Sequence, residues 1–127
     1  MIQAQTLLKI ADNSGGKFAK CLKILKKGTV PRYGAVGDTV VVSIQQLRNK
    51  NRLTAKVRRG DVLKGVIVKT RNKLRRGQGV SFCFQQNAVV LLDKQLKPVA
   101  SRVLGVIPKE LKTNKFSKII SLSSGTF

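Results

Sequence analysis

The chain has 127 residues with three prolines, 42% apolar and 24% charged; this is the length of one domain with enough apolar content for a core, which excludes a disordered tail. Its 26 Lys and Arg stand against five acids (Asp12, Asp38, Asp61, Asp93 and Glu110) for a net charge of +21, and a compact state with that charge repels itself unless a polyanion neutralises it. With no histidine, one glutamate and no Cys-x-x-Cys spacing, the composition excludes a zinc site and leaves an enzyme without a base, so no catalytic residue, metal or cofactor is expected.

Met1 to Asp12 lacks a basic cluster followed by an apolar stretch, and no run approaches the roughly 18 apolar residues of a membrane span. A soluble chain without a cleavable leader is expected. Thr6 to Ala11 reads as a first strand, and Asp12-Asn13-Ser14-Gly15-Gly16 supplies residues that cap their own backbone or tolerate positive φ, hence a tight turn. Phe18 to Leu25 resumes as a strand, and Lys26 to Gly37, with Pro31 and two glycines, reads as a loop.

From Thr39 to Leu47, Val40, Val42 and Ile44 point one way while Val41, Ser43 and Gln45 point the other, the period-2 pattern of a strand with one buried face. Val62 to Thr70 follows, and its Gly65 suits a bulge or a close backbone approach. Val80, Phe82 and Phe84 alternate with Ser81, Cys83 and Gln85, while Ala88 to Leu92 is a continuous apolar run suited to a fully buried strand. Five or six short strands of this kind describe a small barrel or sandwich. Cys21 and Cys83 both fall in apolar or alternating runs and read as buried thiols.

Two very basic connectors, Arg48 to Arg59 and Lys69 to Arg76, lie between strands and read as projecting loops or a hairpin. After Pro108 the period changes, and Leu111, Phe116, Ile119 and Ile120 suit one or two short helices. Lys109, Lys112, Lys115 and Lys118 recur every third residue beside them. That stripe is either a docking face or the wet side of an amphipathic helix.

Nucleic acid is the commonest partner of such a charge, ahead of a membrane surface or an acidic protein. A solvated charged surface would interleave acids with bases, and this sequence does not. Arg32, Arg48, Lys50, Arg52, Lys56, Arg58, Arg59, Arg71, Lys73, Arg75 and Arg76 cluster on three connectors, and with Lys17, Lys26 and Lys27 they form the candidate RNA-binding set. Arginine forks bind phosphate oxygens in pairs while lysines act as point charges, a mixture suited to backbone contact more than base reading. Aromatic residues are 5% with no Trp, so a folded RNA read by shape fits better than stacked single strands. Arg76-Gly77-Gln78-Gly79 lacks the third glycine and the strand-to-helix context of a dinucleotide fingerprint and reads as a turn. Arg59-Gly60-Asp61, a cell-adhesion tripeptide in spelling, reads as a loop entering a strand.

Met1-Ile2-Gln3, Ala11-Asp12-Asn13-Ser14-Gly15, Val36-Gly37-Asp38, Gly65-Val66-Ile67-Val68, the spaced Gly79, Phe84, Asn87 and Val90, Arg102-Val103-Leu104-Gly105 and Lys115-Phe116-Ser117-Lys118-Ile119-Ile120 together resemble the universal large-subunit ribosomal protein number fourteen family. The resemblance covers nearly the whole chain. It implies a mostly β fold, a closed five-stranded β-barrel over about residues 1–107 with a projecting basic hairpin, and a short helical end over about 108–123, all one domain of residues 1–127. It further implies binding to large-subunit ribosomal RNA at the face that meets the small subunit, a contribution to a bridge to small-subunit RNA, and large-subunit protein number nineteen as a neighbour. A ribosome-silencing or anti-association factor is implied at Ser101, Arg102 and Lys118, with Lys112 and Lys115 beside them.

The chain departs from that family pattern in places. Gln78 precedes Gly79 where Asp, Asn or Ser is usual, Ala100-Ser101 replaces Gly-Thr, and Ser123-Ser124-Gly125-Thr126-Phe127 replaces an acidic, proline-containing ending. With the large basic excess, these departures imply an organellar ribosome in the mitochondrial matrix, rather than a plastid stroma or bacterial cytoplasm. The missing presequence then implies synthesis inside the organelle or removal before residue 1.

Overall fold

The computed structural model describes residues 2–25, 33–48, 53–112 and 116–127. Period-2 alternation builds the first strand, β1 (Leu7–Ile10), which buries Leu8 and Ile10 and exposes Leu7 and Lys9. It turns into β2 (Gly16–Leu25), antiparallel with Leu8 opposite Ala19. β2 pairs in turn with β3 (Thr39–Leu47), with a register shift between Cys21 and Lys23 that adds twist where the sheet curls. β4 (Val62–Lys69) continues the sheet, and β7 (Ala88–Leu92) closes it by pairing antiparallel with β4 and parallel with β1, Ile10 opposite Val89. The result is a closed barrel in the order β1-β2-β3-β4-β7. Closure leaves these strands without an unpaired edge.

Two apolar clusters share the middle strands. Leu8, Ile10, Val40, Val42, Ile67 and Leu91 fill the barrel, each at most 1% exposed. Burying each such side chain is worth about 1.5–3 kcal/mol. Val66, Val68, Val90 and Leu92 point the other way, outside the barrel, and are covered by Val103, Ile107, Leu111 and Ile119. β7 is therefore apolar at every position because both of its faces are buried, which is why Ala88 to Leu92 shows no alternation. At Gly65 a Cβ would come within 2.6 Å of Val89 Cγ2 and 3.1 Å of the Val90 carbonyl. Gly65 thus marks a close approach of β4 to β7, one of the two options its sequence context left open.

The cover is the C-terminal segment. β8 (Val103–Ile107), a 3-10 turn (Lys109–Lys112) and α1 (Ser117–Leu122) lead into β9 (Ser123–Thr126), which pairs parallel with β8. Six residues are too few for a self-supporting helix, and Phe116 supplies no side-chain cap. Packing of Ile119 holds α1 instead, as Leu111 holds the 3-10 turn. The short helices match expectation, whereas β8 and β9 have no counterpart in the sequence reading. β8 buries only its first and last residues and β9 reads Ser-Ser-Gly-Thr, so neither carries the alternation that reveals a strand.

Between β4 and β7 stands a hairpin, β5 (Leu74–Arg75) against β6 (Ser81–Phe82). Its turn is closed by Arg76 N–H donating to the Val80 carbonyl at 2.9 Å, with Gly79 at φ 77°. The strand expected over residues 80–85 is thus two residues long. Cys21 is buried, but Cys83 is exposed, contrary to expectation. Cys83 has the opposite phase to Phe82 and Phe84, which are half-buried, so it faces water. Burial raises the pKa of the Cys21 thiol, which keeps it an inert small hydrophobe. Among the described residues, no helix is long and apolar enough to cross a membrane.

Candidate nucleic-acid interface

Each of the five acids accepts hydrogen bonds from the chain itself. Asp38 accepts from Ala35 N–H at 2.8 Å and Asp61 from Arg58 N–H at 2.8 Å, each closing a turn, and Asp93 accepts from the adjacent Lys94 N–H at 2.7 Å. Asp12 is fully buried; its Oδ1 accepts from the Ser14 backbone and hydroxyl, and its Oδ2 from Leu91 N–H at 2.9 Å. Beside it, Asn13 Oδ1 accepts from Arg102 N–H at 3.1 Å and Asn13 Nδ2 donates to Ser101 Oγ at 3.1 Å. The turn seen in the sequence as local punctuation therefore ties β1 to both β7 and β8. Glu110 accepts two hydrogen bonds from Arg76. The carboxylates thus build turns and ties within the chain.

Several cations converge on one side of the barrel, along the outer face of β1 and the adjoining parts of β4 and β7, where Lys9 and Lys69 both stand opposite Ala88. A cleft of about 470 Å³ there is lined by Lys9, Arg48, Lys69, Phe84, Gln85 and Gln86, with Ile10, Ala11, Ala88 and Leu104 as its apolar part. A second groove, about 370 Å³, shares Lys9, Gln85 and Gln86 and adds Lys17, Phe18 and Arg71. Neither is lined by a carboxylate among the described residues. Arg48 is steadied by a hydrogen bond from Nη2 to the Ile10 carbonyl at 3.2 Å, and Lys17 Nζ lies 5.6 Å over the Phe18 ring. Burial, and then the neighbouring Lys9 ammonium, lowers the pKa of Lys69. An anion in the cleft would offset the repulsion from Lys9.

Of the predicted set, Lys17, Arg48 and Arg71 thus line these two grooves. Lys56, exposed, donates to the Val99 carbonyl at 3.3 Å, and Arg58 and Arg59 are exposed on the turn before β4. Lys73 and Arg75 are exposed on the hairpin. Arg76 is committed to protein: Nε lies 2.5 Å from Glu110 Oε1, Nη2 donates to the Phe127 main-chain oxygen at 2.5 Å, and the guanidinium sits 4.4 Å over the Phe82 ring. Lys26, Lys27, Arg32, Lys50 and Arg52 lie outside the described residues, as does Lys115 of the C-terminal set. Ser101, Arg102, Lys112 and Lys118 are exposed, and Val103 pairs with Ser123, which brings Arg102 to the neighbourhood of α1.

Lys9, inside the strand predicted over residues 6–11, and Lys69, where the strand predicted over residues 62–70 meets the second basic connector, are both outside the predicted set. The signal was nevertheless present: in Leu7-Leu8-Lys9-Ile10 the buried phase belongs to Leu8 and Ile10, which sends Lys9 outward. Lys23 and Lys64 stand outward by the same rule, both opposite Val41. A family model described as ribosomal protein L14p/L23e matches residues 1–127, the full length of the chain.

Proposed function

Because the chain belongs to the ribosomal protein L14p/L23e family, and so is a structural protein of the large ribosomal subunit, we propose that it holds large-subunit RNA by the phosphate backbone. The contacts come from the cations lining the two grooves and from the exposed connector cations Arg58, Arg59, Lys73 and Arg75. The observation that carries this reading is the convergence of Lys9, Lys17, Arg48, Lys69 and Arg71 on two adjoining grooves lined by no carboxylate among the described residues. Cations gathered in this way release counterions from a polyanion and position it without reading its sequence.

The C-terminal face serves proteins. Exposed Ser101, Arg102, Lys112 and Lys118 surround β8 and α1, and this is the docking surface of a ribosome-silencing factor. The protein stands at the intersubunit face beside large-subunit protein number nineteen and contributes to a bridge to small-subunit RNA. The Ala100-Ser101 pair and the ending Ser123 to Phe127 favour a mitochondrial particle. In a low-salt gradient the protein co-sediments with the large subunit, and Arg102→Glu or Lys118→Glu reduces factor docking more than it reduces assembly. A protein that stayed off the large-subunit peak would overturn the ribosomal role, and equal loss of docking and assembly would make the C-terminal face purely structural.

A further inference from the structure

Backbone neutralisation needs exposed cations and nothing more, yet the cleft beside β1 is concave and chemically mixed. Its volume of about 470 Å³ lies in the ~300–1,000 Å³ range of sites that engulf a small molecule. A duplex is a convex rod met by an open surface, whereas an unstacked nucleotide enters a cleft. Lys9 and Lys69 supply ammonium groups, Phe84 an aromatic ring, and Gln85 and Gln86 amides that both donate and accept. Phosphate alone would need neither the ring nor the amides.

The wall carrying that ring and those amides is held at both ends. Phe84 N–H donates to the Thr70 carbonyl at 3.0 Å, Asn87 Oδ1 accepts from Arg71 N–H at 2.9 Å, and the Asn87 carbonyl accepts from Lys9 N–H at 3.0 Å. Gln85 and Gln86, between these anchors, stay exposed. Lys69 Nζ stands 5.7 Å over the Phe84 ring, so ammonium and ring address the same space. A wall fixed in advance reduces the ordering cost of binding.

We propose that the cleft receives a single nucleotide of large-subunit RNA turned out of its stack, its phosphate between Lys9 and Lys69 and its base against Phe84 and the amides of Gln85 and Gln86. The adjoining groove with Lys17 and Arg71 takes the flanking backbone. This rests on the reading that large-subunit RNA is the ligand, and it adds a base contact to what was otherwise a backbone interface.

Ultraviolet crosslinking of the full chain to a large-subunit RNA transcript, with mass spectrometry of the tryptic peptide covering residues 77–94, tests the proposal. One nucleotide is expected on residues 84–86. Phe84→Leu and Gln86→Ala are each expected to lower affinity roughly tenfold, the scale of one lost base contact, while Lys94→Gln, on the turn after β7, leaves it unchanged. Lys9→Gln is expected to reduce the slope of log affinity against log salt by about 1. If Phe84→Leu fails to fold, Gln86→Ala and Lys9→Gln, both changes of exposed side chains, decide. Intact RNA binding with crosslinks elsewhere and a neutral Gln86→Ala overturns the nucleotide site and leaves the backbone interface standing. A wild-type chain that binds no RNA overturns both.

Discussion

Arg76, just after β5, donates from Nε to Glu110 Oε1 at 2.5 Å and from Nη2 to Oε2 at 3.2 Å, across 34 residues of sequence. The same guanidinium caps the Phe82 ring and reaches Phe127, whose ring lies 5.1 Å from that of Phe82. Hairpin and C-terminal segment are thus tied to each other. Glu110→Gln leaves Arg76 with a weaker acceptor, so amide hydrogen exchange should rise in residues 74–82 and 123–127 and stay unchanged in β4 and β7. A uniform rise through the barrel would mean that the pair is part of the global fold.

The same tie gives an acid response. The Arg76 hydrogen bonds hold the Glu110 carboxyl below its usual pKa, and Arg76 is held above its own, so the arginine stays charged throughout. A carboxylate with a depressed folded-state pKa contributes stability above its unfolded value and loses it as pH falls through the folded one. Loosening of residues 123–127 should therefore appear only below the ordinary carboxylate range and be absent in Glu110→Gln. Loosening at neutral pH in the wild type would contradict this sign.

Asp12 joins β1 to β7 by accepting from Leu91 N–H, 79 residues away. Asp12→Ala leaves the Leu91 and Ser14 donors without their acceptor in a buried site, which costs about 1–3 kcal/mol for each unsatisfied group. Chemical denaturation should show a drop of that order, with Asp12→Asn in between because the amide keeps one acceptor oxygen. An unchanged midpoint in Asp12→Ala would mean that water replaces the carboxylate.

Gly65→Ala pushes a methyl into Val89 Cγ2 at 2.6 Å and against the Val90 carbonyl at 3.1 Å. The valine can turn but the carbonyl belongs to the β4–β7 ladder, so a loss of about 1–3 kcal/mol is expected from thermal or denaturant melting. Gly77→Ala, which meets nothing within 4 Å, should be close to neutral. Equal melting of the two variants would deny the close approach.

Much of this fold was legible because alternation is a local property. β3 runs from Thr39 to Leu47 as its pattern indicated, and the unbroken Ala88 to Leu92 run revealed a strand buried on both faces. β8 and β9 were not legible, since their pairing depends on partners about 20 residues apart and on a single glycine at φ 81°, Gly105, rather than on an apolar phase. Nor could the Asp12 turn disclose Leu91, because nothing local encodes the pairing of β1 with a strand 79 residues away. The five-stranded barrel of the family resemblance is present, and the full-length family match agrees with it.

The candidate interface divides the same way. Arg58, Arg59, Lys73 and Arg75 stand exposed on connectors, where a run of like charges has no other place to go. Lys9 and Lys69 become neighbours only when β1 and β4 pair on either side of β7, with Ala88 between them. Arg76 looked the same as Arg75 in sequence, and only the fold shows Glu110 beside it.

The most direct test of the backbone-binding account is the salt dependence of affinity for large-subunit RNA, measured for the wild type and for Arg58→Glu/Arg59→Glu/Arg75→Glu. Contact with roughly 6–10 phosphates predicts a slope of log affinity against log salt of about −4 to −9. The triple variant should show a shallower slope by about 3 with native circular dichroism. A slope that is the same in both proteins, with native folds, would remove these connectors from the binding surface and contradict the account.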